Sequence, residues 1–438
     1  MMHKYLPHTP KEIEEMLSVI GAESLDDLFT AIPKELRFKK DYKIPYALSD
    51  DELTTHMKKL ADENQELVVF RGAGSYDHYV PSIVKSLISR QEFLTSYTPY
   101  QPEVAQGTLQ YIFEYQSMVC ELTGMDVSNA SMYDGSTSTA EAMFMAYAQT
   151  GKQKILISET VHPKTIDVVK TYAKYRNLEV VVIPMKNGIT NFDFIKNNFD
   201  GAMGVIVQNP NHFGIVEDYD GYAKFIHEHD GLFIINAEGQ SLALLKTPGS
   251  YQADIACGDL QSLGIPMNFG GAYVGYLATL TKHMRKMPGR ICGLTTDVDG
   301  KRAFVLTLQA REQHIRRAKA NSNICSNQSL MALAVTIYLS ALGKQGFVDV
   351  ATESMNGAHH LYEALLKTGQ FSVVYDSPFF KEFVLKAKFD VLKFEKDLLE
   401  QNILGPLHLG DNHLLFAVTE KRTIAEIERL IETVVSQA

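Results

Sequence analysis

Short apolar runs alternate with amphipathic patterns through the middle of the chain. The runs occupy residues 154–157, 180–183, 204–207, 232–235, 254–257 and 272–277. Segments between them, such as 163–176 and 219–230, carry apolar residues at helical spacing. Strands that are apolar on both faces and alternate with helices predict a mostly parallel sheet covered on both sides, as in an α/β protein.

Helical patterns dominate the chain before this region. Thr9, Pro10 and Glu12 predict a capped helix that stops at Gly21. A second capping box at Ser49 opens another helix, and residues 71–81 form a predicted glycine-rich loop. Residues 106–123 keep a helical period up to Gly124.

The last third predicts long helices over about 329–343 and 348–366, strands at 371–376, 379–387 and 413–420, and a final helix at 423–435. We therefore divide the chain into a helical N-terminal arm (1–95), a large α/β domain (96–325), and long helices with a small α+β domain (326–438).

Composition narrows the class of protein. The 438 residues are 45% hydrophobic and carry a net charge of −10 that is spread along the chain, which argues against nucleic acid or an anionic membrane as partner. The start of the chain has no apolar run of signal-peptide length, and the longest apolar stretch, Leu330 to Leu342, is shorter than a membrane span. The four widely separated cysteines indicate neither a disulfide framework nor a metal site. We expect a cytoplasmic protein.

Candidate chemistry lies where strands give way to helices. Residues 134–146 place Ser136 and Thr137 at a helix start, which predicts an anion site or, alternatively, an ordinary N-cap. His162 and Asn236 follow strands and should project from the carboxyl edge of the sheet, unless they only support loops. With the loop 258–275, their order resembles the cofactor site of fold-type-I pyridoxal-phosphate enzymes.

Longer segments carry a more specific resemblance. Residues 97–131, the loop 264–271 and the segment 310–328 resemble the glycine dehydrogenase (decarboxylating) family, the P-protein of the glycine cleavage system. The chain is most similar to the separate N-terminal subunit found where that protein is split in two. The resemblance implies that glycine is decarboxylated on pyridoxal phosphate and that the aminomethyl group passes to the lipoyl arm of H-protein.

Two positions depart from what this chemistry needs. The family's pyridinium-binding carboxylate aligns with Asn236, and its Schiff-base lysine aligns with Ser262. An amide is neutral and a hydroxyl is not an amine, so we expect no catalytic residue in this chain alone. The resemblance then implies that pyridoxal phosphate is held by a homologous, lysine-bearing partner subunit in a heterotetramer.

Two surfaces are candidates for this chain's own contribution. Tyr97, Tyr100 and Glu103 lie in a proline-interrupted loop and are expected to line the active site or its channel, unless the tyrosines are core residues. Arg311, Arg316 and Arg317 lie in a basic, predicted helical run that either contacts the partner or is a solvated face.

Two other hypotheses remain open at this point. One is a catalytically inactive regulatory or scaffold protein that has kept the fold. The other is an autonomous pyridoxal-phosphate enzyme that uses Lys246 or Lys282, which lie outside the loop in which the lysine is expected.

Overall fold

The computed structural model describes residues 5–40, 42–268, 270–320 and 322–437. The chain divides into two compact units, Met1–Gln65 and Glu66–Ala438. The predicted three-part division at residues 95 and 325 remains a prediction. Residues 66–95 belong to the larger unit.

The first unit contains α1 (Pro10–Ile20) and α2 (Asp50–Asp62). Both predicted capping boxes are confirmed: Thr9 accepts the Glu12 N–H while Glu12 binds the Thr9 N–H, and Ser49 and Glu52 repeat the pattern. Gly21 ends α1 in the left-handed conformation. None of the described side chains in this unit is buried, so the two helices have no core of their own.

The helices of the second unit surround its sheets and include the predicted helix that ends at Gly124. They are α3 (Ser82–Ile88), α4 (Gln91–Leu94), α5 (Gln106–Thr123), α6 (Gly135–Thr150), α7 (Pro163–Lys174), α8 (Phe192–Asn198), α9 (Tyr222–Glu228), α10 (Gln313–Arg316), α11 (Ser329–Lys367), α12 (Val391–Glu400) and α13 (Ile424–Val435).

The strands of the second unit are numbered in chain order. They are β1 (Val68–Val69), β2 (Val127–Ser128), β3 (Lys154–Ser158), β4 (Glu179–Ile183), β5 (Met185–Lys186), β6 (Ile189–Thr190), β7 (Ala202–Asn209), β8 (Leu232–Ala237), β9 (Ile255–Asp259), β10 (Gly275–Thr279), β11 (Ile291–Thr296), β12 (Arg302–Thr307), β13 (Phe371–Val373), β14 (Glu382–Ala387), β15 (Ile403–Leu404), β16 (Leu407–Gly410) and β17 (His413–Ala417).

The central sheet has seven strands in the order β2-β10-β9-β8-β7-β3-β4. The pairs β9-β8, β8-β7, β7-β3 and β3-β4 are parallel, whereas β10 runs antiparallel to both of its neighbours. The predicted mostly parallel α/β architecture is confirmed. The apolar run that was expected from residue 272 forms a strand only from Gly275.

Alternate residues of the strands belong to two different hydrophobic cores, one on each face of the sheet. In β3, for example, Leu156 belongs to the core shared with α5 and α11, whereas Ile155 and Ile157 belong to the core shared with α6 and α7. Helices therefore cover both faces of the sheet, which explains why the strands read as continuous apolar runs. The carboxyl ends of the parallel strands are left as the polar edge.

A smaller antiparallel sheet, in the order β13-β14-β17-β16, forms the C-terminal part of the chain. It packs with α11, α12 and α13 around a third core that contains Phe383 and Phe416. The predicted pair of long helices forms the two parts of α11, which meet at a kink at Gly343, where φ is 62° and ψ is −177°. The small α+β region therefore follows the large sheet as predicted.

Helix α11 is long and apolar enough, by length and composition alone, to cross a membrane. Core helices pass the same test, and Ala332, Leu333 and Tyr338 of this helix are buried against the rest of the chain. Gly343 also interrupts its apolar stretch.

The small-sheet core provides a test of the packing. Phe383 is 2% exposed and stacks on Phe416 with ring centroids 5.3 Å apart. We expect Phe383→Ala to lower the free energy of unfolding by about 3–5 kcal/mol, measured by urea denaturation, because it leaves a cavity. Leu392→Ala is the control: this side chain is 69% exposed and its loss should change stability by less than about 0.5 kcal/mol. Equal effects of the two substitutions would contradict the packing.

Candidate functional site

A pocket of about 540 Å³ lies at the carboxyl edge of the central sheet. Four strands contribute to its wall: His162 follows β3, Gln208 and Asn236 lie near the ends of β7 and β8, and Asp259 ends β9. The predicted placement of His162 and Asn236 at one edge is confirmed. Residues 73–76 and Glu382, which are distant in sequence, close the pocket.

The start of α6 forms one side of the pocket. A side chain at Gly135 would place its Cβ 2.9 Å from the Asp259 nitrogen, so only glycine lets the helix approach the end of β9 this closely. The Gly135 N–H donates to the Asp259 carboxylate (3.1 Å), and the Thr137 N–H donates to Asp134 (2.8 Å). Two backbone donors that an anion would use are already bound to carboxylates.

The two predicted hydroxyl residues point to different places. Ser136 lines the pocket and shares a hydrogen bond with Thr165 (2.8 Å). Thr137 completes the capping box with Asp134 and lines a separate cavity. The alternative of an N-cap with additional hydroxyls therefore describes Thr137.

His162 is held in one orientation by two backbone groups. Its Nδ1 accepts the Lys164 N–H (3.1 Å), which leaves Nε2 to donate to the Ala73 carbonyl (3.0 Å). Burial lowers the pKa of His162, and burial together with His162 lowers the pKa of His212 to about 4. Because their pKa values are lowered, both rings are uncharged at neutral pH. Both line the pocket, and their centroids are 4.9 Å apart.

The alignment of Asn236 and Ser262 with the family's carboxylate and lysine stays a prediction. Of the two residues, Asn236 lines the pocket and Ser262 does not. The Asn236 amide donates to the Thr139 hydroxyl (3.0 Å). Ser262 is 2% exposed and its hydroxyl has no hydrogen-bond partner among the described residues, although it lies near enough to Glu238 to help lower the pKa of that carboxyl. Phe269 in the predicted loop 264–271 and Asn321 in the segment 310–328 lie outside the described residues.

The alternative lysines lie elsewhere. Lys246 pairs with Asp220 and Lys282 pairs with Asp254 (3.1 Å), and neither lines the pocket. No lysine or arginine is found among the described residues that line the pocket. The structure thus gives no support to either residue as a displaced Schiff-base lysine.

Sequence reasoning missed a buried lysine beside the pocket. Lys381 is 2% exposed and its amine contacts Gln240 (2.9 Å), His78 (3.0 Å) and Glu238 (3.2 Å). All its partners are acceptors, so the nitrogen is held as an ion-pair donor and is not a free nucleophile. Residue 381 directly precedes a strand of the small sheet, and no local signal in the sequence marks it.

His78 connects this lysine to a second carboxylate. Burial and the neighbouring Lys381 lower the pKa of His78, so the ring is neutral, accepts from Lys381 through Nε2 and donates through Nδ1 to Glu420 (2.6 Å). Burial alone would raise the pKa of Glu420, but His78 and the Tyr79 N–H hold it at about 2. Likewise Lys381 outweighs burial and keeps the pKa of Glu238 below its usual value.

Two further carboxyl groups make the pocket acidic. Burial raises the pKa of Glu382, which accepts the Ala73 N–H (2.7 Å) and the Tyr76 hydroxyl (2.8 Å). Burial also raises the pKa of Asp259 to about 7. With Asp134 and Glu238, four carboxyl groups line a pocket whose two histidines are uncharged.

These residues do not fit pyridoxal phosphate. A phosphate at the start of α6 would face Asp134 and Asp259, a pyridinium would meet a neutral amide at Asn236, and Ser262 offers no amine. Instead, the carboxylates of Asp259 and Glu238 are bound by groups of this chain, the Gly135 N–H and the Lys381 amine.

The predicted channel residues lie on the surface. Tyr97 is 73% exposed and Tyr100 is 52% exposed, so the alternative that both are core aromatics is wrong. The Tyr100 hydroxyl accepts from Arg290 (3.3 Å), and Glu103 is exposed in a turn before α5. None of the three lines the pocket of this chain, and their role at a partner's site stays a prediction.

The basic run is not one helix. Residues 309–319 form three short turns, interrupted where Arg317 has a φ of 54°. Arg316 and Arg317 are exposed, whereas the half-buried Arg311 turns toward the Met287 carbonyl. Burial lowers the pKa of Arg311 to about 10. Arg316 and Arg317 are therefore the two that are available to a partner.

The four cysteines form no disulfide. Cys120, Cys257, Cys292 and Cys325 are free thiols. Within residues 5–40, 42–268, 270–320 and 322–437, no cluster of three or more His, Cys, Asp or Glu side chains is placed to hold a metal ion.

The mostly parallel sheet, its edge pocket and the small C-terminal domain define a fold-type-I pyridoxal-phosphate-dependent transferase fold. The same fold is found, at a TM-score of 0.61 and 14% identity over 83% of this chain and 97% of the other, in a C-DES mutant with glycine covalently linked to its pyridoxal-phosphate cofactor. The chain is more similar, in structure and in sequence, to a crystal structure of glycine decarboxylase (P-protein) of the glycine cleavage system, in inhibitor-bound form. That comparison has a TM-score of 0.91 and 41% identity over 100% of both chains.

The family follows from two sequence comparisons. The model of the glycine cleavage system P-protein matches residues 3–434. The probable glycine dehydrogenase (decarboxylating) subunit 1 of Bacillus cereus (strain B4264) is 50% identical over 441 residues, covering 98% of each chain. The chain therefore belongs to the glycine cleavage system P-protein family, in which it is of the subunit 1 type of glycine dehydrogenase (decarboxylating).

The buried Lys381 offers a test of the site's electrostatics. Lys381→Met should lower the free energy of unfolding at neutral pH by about 3–5 kcal/mol, because Glu238 stays buried without its cation. Glu238 has a lowered pKa in the folded chain, so its stabilising effect exists above its unfolded pKa and is lost on acidification. The difference between variant and unmodified chain should therefore shrink below about pH 4.5.

Urea denaturation from neutral pH to below about pH 4.5 measures this difference in the free energy of unfolding. Lys246→Met is the matched control, since Lys246 forms an exposed pair and its removal should have little effect at any pH. If Lys381→Met lowers the free energy of unfolding by the same amount at every pH, the substitution acts through packing and not through Glu238.

Proposed function

We propose that this chain is the non-catalytic half of a glycine-decarboxylating enzyme. A homologous subunit supplies the lysine and holds pyridoxal phosphate, glycine is decarboxylated there, and the aminomethyl group passes to the lipoyl arm of H-protein. The observation that carries the proposal is the sheet-edge pocket. Among the described residues that line it there is no lysine or arginine, the side chain near the end of β8 is the neutral Asn236, and Asp259 binds the Gly135 N–H at the start of α6. This chain contributes to assembly and to the walls of the partner's site.

The first unit supports the need for a partner. Between residues 5 and 65 no described side chain is buried, and large apolar residues such as Val19 (87% exposed), Ile44 (76%) and Tyr46 (98%) face solvent. Apolar surface on this scale marks an interaction site. Relatives that are named subunit 1 imply a second subunit, which is the occupant that we propose for this surface.

The loop before α5 supports a role at the partner's site. Tyr97, Tyr100 and Val104 are all more than half exposed, although aromatic and β-branched side chains are usually buried. An interface would cover these three side chains, and the two tyrosine hydroxyls would make polar contacts there. The composition and the free cysteines favour the cytoplasm as the compartment of this assembly.

Exchange of CO2 into the carboxyl group of glycine tests the proposal. With lipoylated H-protein and pyridoxal phosphate, we expect no exchange by this chain alone and exchange when the homologous subunit is added, because Ser262 provides no amine. Ser262→Ala is the control variant, and it should support the mixture as well as the unmodified chain. Exchange by this chain alone would contradict the proposal. Stable complex formation without any gain in activity would instead favour a regulatory scaffold.

The exposed arginines test how the partner is recognised. We expect the double charge reversal of Arg316 and Arg317 to glutamate to weaken the complex by about tenfold or more, because rim charges steer and hold an oppositely charged surface. Reversal of the exposed Lys393 and Lys396 is the matched control with the same change of net charge. Surface plasmon resonance at two salt concentrations measures the affinity of both variants for the partner. An equal loss of affinity in the two variants would show that net charge alone causes the effect.

A further inference from the structure

The sheet-edge pocket holds more negative charge than this chain neutralises. Asp134, Glu238, Asp259 and Glu382 line it, and its described lining residues include no lysine or arginine. Lys381, which lies beside the pocket, pairs with Glu238 (3.2 Å). The other three carboxyl groups form no ion pair with the described residues.

The three carboxyl groups are held by neutral donors. These donors are backbone N–H groups and hydroxyls, which fix the carboxyl groups in place without removing their charge. Burial, together with the charges of Asp134 and Glu238, raises the pKa of Asp259 to about 7. Burial also raises the pKa of Glu382. A cation in the pocket would oppose both shifts, because it stabilises the ionised carboxylates.

His212 is a second and independent indication of a ligand. It lines the pocket and is only 9% exposed, and its Nδ1 has no hydrogen-bond partner among the described residues. Burial and the neighbouring His162 lower the pKa of His212 to about 4, so the ring is neutral and one of its nitrogens is an acceptor. Buried polar atoms without a partner are rare in folded proteins. A ligand that donates an N–H would supply the missing contact.

The pocket suits an organic cation better than a metal ion. In the part of the chain that the structure describes, no group of three or more His, Cys, Asp or Glu side chains is placed to hold a metal. Tyr76, Tyr133 and Tyr273 also line the pocket. Aromatic faces attract ammonium groups, and their apolar surface packs against methylene groups. The volume of about 540 Å³ is typical of pockets for small organic ligands.

We propose that the sheet-edge pocket binds a small aliphatic polyamine, whose ammonium groups pair with the carboxyl groups of Asp134, Asp259 and Glu382. His212 accepts a further N–H from the same ligand. Three carboxyl groups without a cation favour a ligand with several amines, since a single ammonium would leave two of them unpaired. The proposal does not depend on the glycine reaction.

Isothermal titration calorimetry of the full, unmodified chain with spermidine tests the proposal. We expect spermidine to bind about tenfold or more tightly than N-butylamine, whose single ammonium meets fewer carboxylates. Binding at pH 7 should also release protons, because a cation beside Asp259 favours its ionised form. The heat of binding should therefore change with the ionisation enthalpy of the buffer. Exposed acids are already ionised at this pH and would release no proton.

Substitutions test whether spermidine binds in the pocket. Asp134→Asn keeps a helix-capping side chain and Glu382→Gln keeps a hydrogen-bond acceptor, so each removes charge with little change of shape. We expect each to weaken spermidine binding about tenfold or more, and His212→Phe to weaken it about threefold or more. The matched controls are Asp200→Asn and Glu228→Gln, which alter exposed acids that do not line the pocket and should leave the affinity unchanged.

Four results would overturn the proposal. They are no binding at millimolar spermidine, equal affinity for spermidine and N-butylamine, a heat of binding that does not change with the buffer, and an equal loss of affinity in the pocket variants and the controls. The last result would show that spermidine binds to the acidic surface and not in the pocket.

Discussion

The buried ion pair between Glu238 and Lys381 is the interaction on which the arrangement of the site depends. Glu238 follows a strand of the large sheet, Lys381 precedes a strand of the small sheet, and His78 joins them from the segment that closes the pocket. Removing one member of such a pair leaves an uncompensated charge, so the three segments are stable together and costly to separate. The small sheet and the pocket-closing segment are thereby fixed to the polar edge of the large sheet.

The same edge explains how the fold is stable with these residues at the pocket. Parallel strands bring their carboxyl ends together whatever residues stand there, and helix α6 still begins beside the end of β9. Here Asp259 takes the helix N–H, Asn236 donates to Thr139, and Glu382 is held by Tyr76. Each of these three groups has a partner within the chain, so none of them needs a contact from a bound phosphate or pyridinium.

Local pattern accounts for what the sequence predicts well. Strands buried on both faces read as continuous apolar runs, and caps such as Thr9 and Gly124 mark helix ends because their chemistry is local. Lys381, Glu382 and Tyr76 could not be found in this way, since their contacts join residues that are up to 309 positions apart. In the basic run the local pattern is misleading. Its composition predicts a helix, but the backbone turns at Arg317. Asp259 lies inside the predicted loop 258–275, and only its contact with Gly135 reveals its effect on the start of α6.

The central claim is that this chain carries the fold of the enzyme but not its cofactor-binding amine. Borohydride treatment of the assembled enzyme with pyridoxal phosphate, followed by peptide mass spectrometry of both chains, tests it most directly, because reduction fixes the cofactor to the lysine that holds it. The account predicts the modified lysine in the partner chain only. A stoichiometric adduct on any lysine of this chain, Lys381 included, would contradict it.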